Sequence, residues 1–257
     1  MKKINYEQKV PTQVPGFKRP ILVVFLTILV FFVSQIIAGL ILVFYSQFRN
    51  SSTQASTSWI SNSIYAQFFF VLIAEAINLL FVFYYFKKNK LDFSLIGLRK
   101  PKLSDLFYSL VIMPIYYGSY FILVVGITFF YKGLNVNQTQ QIGFNSVHGP
   151  IELIFAFVAL VVLPPITEEI LVRGVIYSAL KQKIKPYLAV ILTSILFASA
   201  HLPEGGKAGL LWIGAIDTFT LSLFLIYLRE KSNGLISSMV LHALKNGVAF
   251  YYLFLIH

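Results

Sequence analysis

About seven apolar stretches, most of them long enough to cross a lipid bilayer, recur along this chain and limit its fold more than any other feature. They lie at about Ile21–Phe44, Ile64–Phe86, Leu106–Tyr131, Pro150–Lys181, Tyr187–His201, Leu210–Leu228 and Leu235–Ile256. A spanning helix needs roughly 20 mostly apolar residues. In hydrocarbon every backbone N–H and C=O needs an internal partner, so only helices and closed barrels cross. The alternating pattern of barrel strands does not occur in these runs. The predicted fold is an all-α, polytopic membrane helical bundle. Its fourth helix is long and kinked at Pro164-Pro165, because proline breaks a helix interior. Only 12% of the residues are charged, against about 25% in soluble domains.

The net charge of +11 does not point to nucleic acid. Lys and Arg gather in alternate short connections: before the first run, after the second (Lys87 to Lys102), after the fourth (Lys181, Lys183, Lys185) and after the sixth (Arg229, Lys231). The other connections hold only Arg49, Lys132 and Lys207. That bias predicts a cytoplasmic N-terminus and an outer C-terminus. The expected location is a bacterial cell membrane, with the lipid bilayer as partner and no nucleic acid. The first run is too long for a signal peptide and is read as a retained helix. Expected units are a basic cytoplasmic segment 1–19, membrane helices over 20–149 and a catalytic helical core over 150–257. With no cysteine, disulfides, thiolate nucleophiles and cysteine metal sites are excluded. Ser104 and Asp105 are expected to cap the third helix. Ser51–Ser63 and Gly133–Gly149 read as polar loops, and Gly205-Gly206 and Asn233-Gly234 as turns.

The polar residues inside the apolar runs carry the functional signal, since an intramembrane ionisable group is costly. At about 1.5 Å per residue from the flanking lysines, Glu168 lies roughly 20 Å deep, His201 roughly 24 Å, His242 roughly 16 Å and Asn246 roughly 22 Å. Three helices thus bring polar groups to similar depth. Glu169 and Arg173 have the favourable i,i+4 ion-pair order. Glu168 projects about 100° away and is the better working carboxylate. The double proline is expected to place both glutamates near a new helix start, where the dipole favours negative charge. His242 and Asn246 share a face and can donate hydrogen bonds to an oxyanion. Glu75 and Asp217 lie at the same level and read first as internal hydrogen bonds or ion pairs. Glu168, His201 and His242 are also a possible zinc set, because a catalytic zinc takes three protein ligands and one open position. Water activation without a metal is equally open.

The segments EEILVR (Glu168–Arg173), FASAH (Phe197–His201) and HALKN (His242–Asn246) resemble the Glu-Glu-x-x-x-Arg, Phe-x-x-x-His and His-x-x-x-Asn pattern of the CPBP family. These are the CAAX-protease and bacteriocin-processing (Abi) membrane proteins. The resemblance covers about Ile151 to Tyr251. It implies an intramembrane endopeptidase, whether glutamate- or metal-dependent, acting on a membrane-associated peptide or protein. By that analogy Glu168 activates water and His201 assists, His242 and Asn246 stabilise the oxyanion, and Glu169 and Arg173 support the site. A non-enzymatic bacteriocin immunity or scaffold protein is the alternative, and a proton or solute pathway a third reading.

Overall fold

The computed structural model describes residues 16–49 and 52–256, apart from the side chains of Lys207 and Ala208. The basic segment through residue 15, with Lys2, Lys3 and Lys9, therefore lies outside the described residues, as do Ser51 and His257.

The described residues form a helical bundle without strands. Its helices are α1 (Pro20–Phe48), α2 (Thr53–Asn62), α3 (Ile64–Asn89), α4 (Leu103–Phe130), α5 (Pro150–Lys181), α6 (Pro186–Ala200), α7 (Trp212–Ser232) and α8 (Ile236–Tyr251). All but α2 are long and apolar enough to cross a membrane, α6 and α8 with the turns that continue them to Gly206 and Ile256. Large apolar side chains such as Phe25, Phe32, Phe121 and Ile122 point outward. On a soluble protein such a surface would be an association hazard; here it meets lipid.

Two expectations change. The polar stretch before α3 is a helix, because Ser52 accepts the Ala55 N–H and caps α2. The cap of α4 is the reciprocal one: Asp105, inside the first turn, accepts the Lys102 N–H at 2.7 Å, which serves a donor that the helix cannot. The turn after α7 falls where Asn233-Gly234 predicted it, with Asn233 in the left-handed conformation at φ 51°; Asn tolerates it through its short polar side chain.

Small buried residues on one face of α1 (Val23, Thr27, Ser34, Ala38) let it lie against α3. Helices α4, α7 and α8 pack around Tyr116, Leu221, Leu225 and Leu241. Helix α5 runs between these groups. Its C-terminal half is buried among them. The short turn Phe93–Ile96 folds back onto α5, where Gly174 leaves room for Ile96. The Gly97 carbonyl accepts the Leu235 N–H at 2.9 Å. Arg99 binds Asp105 through both terminal nitrogens and also donates to the Ser232 carbonyl. The hydrogen bond to Asp105 holds the Arg99 guanidinium above its ordinary value.

Candidate active site

Pro164 and Pro165 have no N–H to give, so the carbonyls one turn before them lose their α-helical partners. The chain does not break. It opens into a wide π turn over Val158–Val162, in which the Leu163 N–H bonds to Val158 O. Backbone angles stay helical, with Val162 at φ −106° and ψ −56°. Glu168 and Glu169 are therefore inside a continuous helix, not at a new start, and the expected help from a helix N-terminus does not apply to them. A second π stretch covers Glu169–Ile176. Such wide turns are often found at functional sites.

Leu160 O is one of the carbonyls that the prolines leave without a partner. Asn246 on α8 supplies one, with Nδ2 donating to Leu160 O at 3.0 Å. The Asn246 amide is thereby fixed to α5, while the residue also lines the hollow described below.

The two glutamates divide as their angular separation predicts. Glu169 is fully buried, and its Oε1 accepts from Arg173 Nη1 at 2.9 Å and from His242 Nδ1 at 3.0 Å. A carboxylate only accepts, so the His242 proton lies on Nδ1 and its Nε2 is turned to the other side. There Nε2 stands 3.8 Å from Glu168 Oε2, too far for a direct hydrogen bond and a spacing at which a bridging water is to be asked for. Glu168 Oε2 has no hydrogen-bond partner in the protein, and its side chain is 20% exposed to the hollow where that of Glu169 is shut away.

Phe197, the aromatic of the FASAH segment, holds the rest in place. The Arg173 guanidinium lies 4.1 Å from its ring centre, a favourable cation–π distance. The His201 and His242 rings meet its ring edge-on at 4.7 and 5.9 Å. His201 Nδ1 is 2.8 Å from Phe197 O. A carbonyl accepts only, so this nitrogen carries the proton and Nε2 is the free one.

Glu168, His201, His242 and Asn246 line one hollow of about 290 Å³, room for about ten waters at the volume of liquid water. Sequence reasoning missed two of its walls. Lys245 pairs with Asp217 at 3.2 Å, and Asp217 also accepts from the Tyr116 hydroxyl. Glu204 lines the hollow and accepts from Gln140 Nε2 at 2.7 Å. Lys245 was visible as a lysine deep in an apolar run, at the level of Asp217; Glu204 and the Gln140 segment left no local signal. Glu75 is buried against Asn78, 3.3 Å away on its own helix, and does not line this hollow. His148 lies in the connection before α5, its N–H bonded to Glu152.

As placed, Glu168, His201 and His242 share a wall but do not form a metal-holding group of three, and no other such group occurs among the described residues.

Together these features define a multi-pass membrane protein with an acid–imidazole hollow between its helices. The family model described as "Type II CAAX prenyl endopeptidase Rce1-like" matches residues 150–248, and with this segment the chain carries a domain of the CPBP (Abi) family. Such a domain supports an intramembrane endopeptidase in general. The matched segment holds all three motifs and helices α5–α7 with most of α8. No curated protein and no solved structure matches the chain.

Proposed function

We propose that this protein hydrolyses a peptide bond of a membrane-associated peptide or protein, with Glu168 as the general base. What carries the reading is the convergence of Glu168, His201, His242 and Asn246 from α5, α6 and α8 on one hollow. An unpartnered carboxylate oxygen at its floor needs an explanation, and a working base is one.

A water between Glu168 Oε2 and His242 Nε2 gives one proton to the carboxylate as its oxygen attacks the substrate carbonyl carbon. A C–O bond forms and the carbonyl oxygen takes the negative charge. The second Asn246 amide hydrogen faces that charge, while His201, whose proton is held by Phe197 O, offers its Nε2 on the same wall as an acceptor. Collapse breaks the C–N bond, and the proton held on Glu168 passes to the leaving amine. Glu169 fixes the tautomer and orientation of His242 in the way a buried carboxylate orients a catalytic histidine. Glu169 and Arg173 are thus positioning residues.

The test is Glu168→Gln, compared with the intact protein by peptidomics of the membrane fraction. Loss of a general base costs about 10²–10⁴ in rate, so the product peptides should vanish while expression persists. Products that remain at full level would remove Glu168 from the reaction. A phenotype that survives both Glu168→Gln and His201→Ala would move the protein to the immunity or scaffold reading.

A further inference from the structure

The hollow around Glu168 has a polar mouth at one end of the bundle. Its floor is Glu168, His242 and Leu221, and its wall rises past Asn246 and Ala249. Over it lies the connection between α4 and α5. Gln140 Nε2 donates to Glu204 Oε2 at 2.7 Å, and the Gln141 N–H donates to Glu204 O at 2.7 Å. These groups belong to the end where α1 finishes and α5 begins. A second, apolar hollow of about 220 Å³ between α1 and α6 meets the first at Glu168, His201 and Glu204. Its rim carries exposed Phe32 and Leu196, so it gives on lipid.

The opposite end is closed. Helix α5 is buried at almost every position from Glu169 to Leu180. A Cβ added at Gly174 would stand 3.2 Å from the Ile96 Cβ, so nothing passes between them. Arg229 seals the neighbouring seam, donating to Arg173 O at 3.0 Å and to Ser178 Oγ at 2.8 Å. This closed end also holds the basic clusters around Lys87, Lys102, Lys183 and Lys231, whereas the connections at the open end carry only Arg49, Lys132 and Lys207. Basic connections stay in the cytoplasm.

We propose that the hollow opens on the non-cytoplasmic face of the membrane, and that its substrates are peptide segments presented at that surface or from the adjoining lipid. Cytoplasmic chain ends are then out of reach: the closed half of α5 stands between them and Glu168. The word substrate rests on the peptidase reading; the sidedness does not.

The chain has no cysteine, so a single introduced thiol reports its own side without background. Three variants suffice: Gln140→Cys at the mouth, Ala249→Cys within the hollow and Lys183→Cys on the basic turn. A small membrane-impermeant methanethiosulfonate is applied to intact cells and to inverted membrane vesicles. The Gln140→Cys and Ala249→Cys variants should react in intact cells, and Lys183→Cys only in inverted vesicles. Reaction of Gln140→Cys from the vesicle side alone overturns the orientation. Reaction of Ala249→Cys from the vesicle side alone, or from neither side, overturns the outward opening. Cleavage is not read at all, so loss of the peptidase reading and loss of the sidedness are separate results.

Discussion

Replacing Glu169 by Gln should unfold the protein more easily than any other single-atom change in the site. The substitution keeps the size and one acceptor oxygen but removes the charge that faces Arg173. Both side chains of this pair are 0% exposed, so solvent does not screen them. Removing one partner of a buried ion pair costs about 3–5 kcal/mol. Arg173 keeps the Phe197 face at 4.1 Å, which retains about 1–2 kcal/mol. The expected loss is then about 1–4 kcal/mol. Denaturant unfolding of the purified protein in mixed micelles measures it. The neighbouring Glu168→Gln is the control: its Oε2 has no protein partner, so stability should change by less than about 1 kcal/mol while activity is lost. A double variant, Glu169→Gln with Arg173→Met, should recover most of the loss, because a packed apolar pair often replaces a buried ion pair without cost. If Glu169→Gln is neutral and Glu168→Gln destabilises, the division of labour between the two acids is wrong.

Asn246→Ala leaves Leu160 O without a donor; thermal unfolding should register about 1–3 kcal/mol, together with reduced turnover. Gly174→Ala pushes a methyl against Ile96 and Leu235, an overpacking of about 1–3 kcal/mol, read as a lower melting temperature with the hollow untouched. Dialysis against a chelator should leave cleavage intact; activity that is lost and then restored by zinc would refute the metal-free route.

Much of the bundle was legible because bilayer physics is one-dimensional: length and apolarity place each span. The Glu169–Arg173 pair was legible for a similar reason, since its spacing along one helix is enough to make it. Contacts between distant segments were not. That Glu169 also holds His242, and that Asn246 serves Leu160, depends on how α5 and α8 face each other. The prolines announced an irregularity but not its form; a wide turn and a break begin with the same missing N–H. Helix α2 was hidden by its polarity, since Ser and Thr read as loop until one of them is seen to cap.

The bond from Asn246 to Leu160 also makes the imperfection of α5 useful. Were Pro164 changed to alanine, the helix could hydrogen-bond its own carbonyl, and the amide would be released to rotate. A variant that melts at higher temperature could then work more slowly, because a better-formed rod no longer tethers its neighbour.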